Sequence, residues 1–291
     1  MIQYNGQYVD ERYSSIFEPN LFTNAWLVPG ATYTDKYFQG PAGGLFVHKI
    51  KNVAAAKPGT PGRDYTHENA QDDLIQIVMN NNFQKSRKIY GVQAASVAAP
   101  LANEHLSVAT QEVREGREYA ALAALLSEGK TSASTTSLTE DNVKAEILNA
   151  RAEISKAKGR ANVILCSPDT YAKILTAAGK EFTPNRNERI QLGGQIGEWF
   201  GFTIIECNAL ASPDAIEYYD YSGTQKTIAA GTLEDVDFVM YYSEALSVVD
   251  NLNSMRILDA VMDFTGSVAQ IEVNTGIRVT NSELVRVKKH A

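Results

Sequence analysis

Gly193, Gly194, Gly197 and Gly201 lie close together and invite a chemical role, that of a phosphate cradle. That use needs a strand running straight into the glycines and a helix opening after them, so that backbone N–H groups at the helix start point at the anion. Here the glycines follow the polar run NRNERIQL and lead into EWFGFTII, which has the pattern of a strand. The order is wrong for a dinucleotide site. A tight turn with close backbone packing explains these glycines more simply.

The other residues able to do chemistry are equally scattered. His48, His67, His105 and His290 include no pair at helical ligand spacing, so no metal is called for. No GxSxG elbow is present, and Ser167 is better placed to cap a helix than to attack a substrate. Asp72-Asp73 and Glu234-Asp235 with Asp237 form acidic groups on expected loops, which are usually only solvated. Cys166 and Cys207 each end an apolar strand-like run, VILC and TIIEC, as buried thiols in a reducing cytoplasm do. The residues point to no active site, no cofactor and no enzyme.

The chain has 291 residues, 44% of them hydrophobic and 21% charged, enough for a substantial core in one elaborate or two ordinary domains. A net charge of −7 gives no general case for nucleic-acid binding, which usually needs a concentrated basic surface. The densest apolar run, Ala120 to Leu126, is far short of the roughly 20 residues that cross a bilayer as a helix, so no membrane is expected. MIQYNGQYVDERYSS has neither basic leader nor apolar core and reads as no secretory signal.

Residues 1–35 are aromatic and aperiodic, an extended arm whose Tyr8, Tyr13, Phe17 and Trp26 can bury large area on a neighbour. Residues 36–73 hold a short strand, LFVHKI, between Pro- and Gly-rich stretches. From Lys36 through Arg63 there are five Lys or Arg and no Asp or Glu, so Lys49, Lys51, Lys57 and Arg63 make a basic loop on an acidic protein. The acidic surface of another copy is its natural partner. Asp73 to Gln93 alternates as one long strand, with Ile75, Ile77 and Met79 on one face.

Residues 100–128 change period to a long amphipathic helix with Leu106, Ala109, Val113, Ala120 and Ala123 on one stripe, ending near Gly129. Gly116 in its middle is a mild defect, about 1 kcal/mol against Ala. Arg114 and Arg117 lie among glutamates off the stripe, as a solvated face or as partners for another subunit. TSASTTSL is a hydroxyl-rich linker. Thr139 or Asp141 then caps a helix with Val143, Ile147, Ala150, Ile154 and Ala157 inward, closed by Gly159; after the strand ANVILC, a helix capped by Ser167 or Asp169 runs to Gly179. The remainder alternates as strands, divided into hairpin-sized pieces by Asn274-Thr275-Gly276 and Thr280-Asn281-Ser282. Lys288, Lys289 and His290 read as a basic tail.

An arm, a basic loop, a long strand, a long helix, an α/β unit and a return to strands form a specific order. NVILCSPDTYAKILTAAG followed by GQIGEWFGFTIIECN (Gly194 to Asn208) is similar to the axial domain of one family, and the whole chain resembles a tailed-bacteriophage major capsid protein of HK97-like fold. The resemblance implies an α+β fold with an N-arm (1–35), an extended β-hairpin E-loop (36–73), a peripheral domain with a long spine helix and β-sheet (74–138), an axial α/β domain (139–246) and peripheral return strands (247–291). It implies hexamers and pentamers closing into an icosahedral head around double-stranded DNA, in the virion, assembled in the host cytoplasm. Expected partners are other copies, a portal protein, DNA contacted non-specifically, and possible scaffolding and decoration proteins. Because no long scaffolding segment precedes the arm, the scaffold is expected to be a separate protein or none. Lys49, Lys51 and Lys57 fall where some members crosslink, but spacing singles out no partner Asn, so crosslinking is not expected. The competing readings are an encapsulin-like compartment and an α/β enzyme built on residues 161–210.

Overall fold

The structure is a computed structural model that describes residues 2–4, 7–9, 31–32, 44–50, 72–90, 101–181, 195–211, 215–259 and 265–290. Helix α1, Leu101–Glu128, is about 42 Å long at ~1.5 Å per residue, and its two halves face different sheets. Its first half puts Ala109 and Val113 against Ile271 and Val273 of a four-stranded sheet, with Leu106 and Phe83 at the margin. Its second half, Ala120 to Leu125, enters a larger core that joins that sheet to a second, six-stranded one. A Cβ on Gly116 would meet the Phe83 ring at 3.2 Å, so this mid-helix glycine gives the ring its place rather than being a mere defect.

The six-stranded sheet has the order β7-β16-β13-β8-β10-β9. These are Lys130–Thr131, Val285–Lys289, Val236–Tyr241, Val163–Cys166, Phe202–Glu206 and Gln195–Trp199. Helix α1 covers one face through Val163, Leu165, Val239 and Tyr241. Helices α2 (Val143–Lys156) and α3 (Pro168–Glu181) cover the other through Ile164, Cys166, Phe238 and Met240. Cover on both faces is why VILC and VDFVMY are buried at every position instead of alternating.

The four-stranded sheet runs β3-β14-β15-β6: Ala31–Thr32, Leu246–Asp259, Gly266–Val279 and Asn81–Tyr90. Strands β4 (Gly44–Ile50) and β5 (Asp72–Val78) pair antiparallel as a separate two-stranded ladder, from Gly44 opposite Val78 to Ile50 opposite Asp72. Strands β1 (Ile2–Tyr4) and β2 (Gln7–Val9) form another such pair, and β11 (Ile216–Tyr219) with β12 (Gln225–Ile228) a third.

Several local expectations change. Residues 73–93 are not one strand: the chain breaks at Met79-Asn80, with β5 in the ladder and β6 in the sheet. Ile77 is nonetheless fully buried and Met79 nearly so, as the alternation requires. Asn274-Thr275-Gly276 is no turn but lies inside β15. Opposite it, Asp250 pairs Thr275 and Leu252 pairs Asn274, so Asn251 is the extra residue of a β-bulge. A Cβ on Gly276 would come within 2.7 Å of Met79 Sδ, so the glycine serves close approach. Thr280-Asn281-Ser282 does turn, into a short 3-10 segment.

Helix α2 starts at Val143 behind Asn142, whose backbone N–H donates to the Thr139 hydroxyl at 3.3 Å. Val143, Ile147, Ala150 and Ile154 are buried, while Ala157 is exposed beyond the helix end. Gly159 N–H donates to Ile154 O, but the left-handed residue there is Lys158 (φ 60). Helix α3 continues past Gly179 to Glu181. The segment 247–291, expected to act as one return, is divided: β14 and β15 enter the four-stranded sheet, and β16 inserts between β7 and β13 in the six-stranded one.

Candidate functional site

The residues that suggested chemistry are kept apart or used for structure. Gly193 and Gly194 lie outside the described residues. Gly197 is the extra residue of a bulge in β9, since Glu198 pairs Thr203 and Ile196 pairs Ile204. Phe200 (φ 53) and Gly201 (φ 79) make the two-residue turn between β9 and β10, as a type I′ hairpin requires. A Gly-Lys-Thr triplet at 129–131 follows α1 instead of opening a helix, and Ala124 stands where a P-loop has its first glycine.

Ser167 Oγ accepts the Thr170 N–H at 3.3 Å and caps α3. Replacing it with alanine is expected to cost about 1 kcal/mol, read as a lower urea midpoint with unchanged slope. Cys166 and Cys207 are buried and free, and burial pushes the Cys207 thiol up to about 12 and that of Cys166 higher still. Neither is a nucleophile at neutral pH. Burial, with Arg87 nearby, lowers the His105 pKa. Among the described residues no group of three or more His, Cys, Asp or Glu is placed to hold a metal ion, and no helix is long and apolar enough to cross a membrane.

Of the expected contact residues, Tyr8 lies in β2 opposite Gln3, and Lys49 in β4 opposite Asp73. Tyr13, Phe17, Trp26, Lys51, Lys57 and Arg63 fall outside the described residues. On α1, Arg114 is exposed and Arg117 half-buried. Glu112 of the same helix accepts Arg87 from β6 at 2.6 Å, an ion pair within the subunit.

Sequence reasoning missed the most developed electrostatic site. Lys288, expected in a loose basic tail, is 1% exposed. Its Nζ donates to Glu146 Oε2 at 2.8 Å and to the Ser134 carbonyl and hydroxyl at 2.9 Å. Arg286, two residues earlier, donates from Nε to Glu153 Oε2 at 3.2 Å. Two residues later, His290 Nδ1 lies 3.1 Å from Asp237 Oδ1. Asp237 is therefore not a solvated loop carboxylate: burial raises its pKa, and His290, Lys173 and Lys288 only partly oppose that. Burial alone would raise Glu146 as well, but the Lys288 and Ser134 hydrogen bonds and the Lys288 charge hold it below the ordinary carboxylate range. The period-2 signal, Arg286-x-Lys288-x-His290, is what a strand gives when one face meets acidic side chains.

A second buried carboxylate sits where α1 ends. Glu128 Oε2 accepts the Val279 N–H at 2.9 Å, while Oε1 is buried with no hydrogen-bond partner. Burial raises its pKa to about 7 against the pull of the Val279 N–H and Arg278, with Asp220 adding to the rise. On the far side of the six-stranded sheet, Leu148 of α2, Leu175 of α3 and Phe200 remain 38%, 44% and 39% exposed, with Lys144 Nζ 5.2 Å from the centre of the Phe200 ring.

No family profile matches the sequence, and no curated protein matches it. Solved structures do match over nearly the whole chain. A structure from Mycobacterium phage Che8 is 14% identical with a TM-score of 0.66, covering 98% of both chains. The capsid structure of cyanophage P-SCSP1u is 10% identical with a TM-score of 0.71, covering 96% of this chain and 92% of that one. The capsid of an empty GTA particle is 12% identical with a TM-score of 0.65, covering 97% and 95%. The architecture is the α+β fold of HK97-like capsids.

Proposed function

We propose that the chain is a major capsid protein, a non-enzymatic subunit that assembles with copies of itself, as hexamers and pentamers, into the icosahedral head shell of a tailed phage or related particle. The near-full-length likeness to capsid structures carries this reading. The β4–β5 ladder supports it. A two-stranded hairpin is marginal alone in water, and this one belongs to neither large sheet; a neighbouring subunit supplies the missing cover. In this reading residues 1–35 are the N-arm, 36–73 the E-loop, 74–138 the peripheral domain with α1 as its spine, and 139–246 the axial domain. Residues 247–291 return to the peripheral domain, except that β16 serves the axial sheet. Tyr8, Tyr13, Phe17, Trp26, Lys49, Lys51, Lys57, Arg63, Arg114 and Arg117 lie at subunit contacts. Portal, scaffolding and decoration proteins and non-specifically held double-stranded DNA are the further partners, and the virion is the location.

Sedimentation velocity with electron microscopy of the fastest species tests the reading. Closed shells or capsomers are expected; packaged DNA marks a phage-type head, and packaged enzyme would mark an encapsulin-like compartment instead. A monomer or dimer, with or without co-expressed scaffold, overturns it. Deleting residues 1–30, or combining Lys49→Glu with Lys51→Glu, should leave a folded subunit that fails to assemble. Loss of folding would refute the arm and loop assignments.

A further inference from the structure

The β4–β5 ladder leaves the body at Met79-Asn80, and the hairpin β11–β12 grips that exit. Asn81 is 3% exposed, and its side chain makes a two-point bond to one residue of β11: Nδ2 donates to Tyr219 O at 3.0 Å, and Oδ1 accepts the Tyr219 N–H at 2.9 Å. An asparagine side chain here does what a paired strand residue does. From β15, the Arg278 guanidinium lies 4.2 Å from the centre of the Tyr221 ring, and its Nη1 donates to the Gln76 carbonyl of β5. One arginine thus ties the hairpin tip to the ladder. Gly223 (φ 78) completes the fit: a Cβ there would come within 2.2 Å of Asn80 Nδ2. Beneath, Ile77 and Met79 pack on Val249, and Gly276 lets the end of β5 lie directly on β15.

We propose that the β11–β12 hairpin is a brace that sets the angle at which the β4–β5 ladder leaves the subunit, with Asn81 and Arg278 as its positioning residues, and that this angle fixes the curvature of the closed shell. The second half of the proposal rests on the shell reading; the first does not. Without the brace, the ladder would be held only by the packing of Ile77 and Met79 on Val249 and by the two-residue break, which leaves its far end room to swing. The brace converts that break into a fixed elbow, because three independent contacts meet on both sides of it.

The test places nitroxide labels at Val47→Cys in β4 and Lys226→Cys in β12, leaving the buried Cys166 and Cys207 unlabelled. The distance distribution is then measured by pulsed electron resonance on the full chain. The unbraced variants are Asn81→Ala and Arg278→Gln, with Tyr221→Leu removing only the ring. The expected result is at least a two-fold wider distribution in Asn81→Ala and Arg278→Gln, with a melting temperature near that of the parent, and a wider spread of shell diameters by electron microscopy. Unchanged distance widths in Asn81→Ala and Arg278→Gln would overturn the brace. Wider distances with unchanged shell diameters would overturn its role in curvature. If the parent chain forms no shells, the function reading falls, while the label distances still report on the brace.

Discussion

Replacing Lys288 with alanine should lower the stability of the subunit by about 2–3 kcal/mol, because it removes charge-assisted hydrogen bonds from the part-buried Glu146 carboxylate and the Ser134 carbonyl. The ammonium has no water to return to: it is 1% exposed, and all three of its described acceptors lie at 2.8–2.9 Å. Glu146→Ala should cost a similar amount from the other side. Removing both charges, as Lys288→Met with Glu146→Leu, should recover part of the loss, since no charge is left unpaired while the Ser134 carbonyl still lacks the Lys288 donor. Chemical denaturation at pH 7 of the parent, Lys288→Met, Glu146→Leu and the variant carrying both completes the cycle, and a double loss equal to the sum of the single losses would mean that the pair is not coupled. The pH dependence has a definite sign. Glu146 is held below its ordinary pKa when folded, so its contribution is present above the unfolded value and is lost as pH falls through the folded one. The difference between the parent and Glu146→Gln should therefore shrink in acid.

Glu128→Gln should act in the opposite sense and stabilise the protein at pH 8. Burial raises the Glu128 carboxyl from 4.5 to about 7, so between those values the folded state binds a proton that the unfolded chain does not. Stability therefore falls as pH rises through that window and levels off above it, a cost on the order of 3 kcal/mol when the carboxylate is fully ionised. The negative charge also sits at the C-terminal end of α1, the unfavourable end of the helix dipole. Glutamine keeps an acceptor for the Val279 N–H and removes the charge. Its expected gain is about 2 kcal/mol at pH 8 and close to none below pH 4.5, the discount reflecting solvent screening of a side chain that is not fully buried. Thermal melts of both proteins across this range decide the matter. A constant difference at all pH values would show that Glu128 is not the titrating group.

The α/β part of the fold was legible because period and punctuation agreed. The stripe Ala109, Val113, Ala120, Ala123 placed α1, and Gly129 closed it; the unbroken apolar runs VILC and VDFVMY carried the mark of strands covered on both faces. What escaped depended on distant chain. Asn274-Thr275-Gly276 has turn composition, yet its glycine answers to Met79 nearly two hundred residues upstream and its neighbours to a bulge at Asn251. Asp73 to Gln93 alternates on either side of Asn80-Asn81-Asn82, and only that polar run marks where its two halves pass into different ladders. Lys288 and His290 looked like a solvated tail because their partners, Glu146 and Asp237, are on elements far away in sequence. Asn81 carried no signal at all: a polar residue in an alternating strand gives no hint that its side chain will pair like backbone.

Strand β16 has a consequence for synthesis. It lies downstream of every strand it serves, yet it fills the gap between β7 and β13 and brings Lys288 to Glu146, Arg286 to Glu153 and His290 to Asp237. At ~5–20 residues per second, β13 emerges from the ribosome and waits seconds for its neighbour, with one edge bare and Glu146, Glu153 and Asp237 without their β16 partners. A nascent or prematurely terminated chain therefore lacks a finished central sheet even though its early segments are already outside. The order of translation itself thus makes the central sheet the last part of the subunit to be completed.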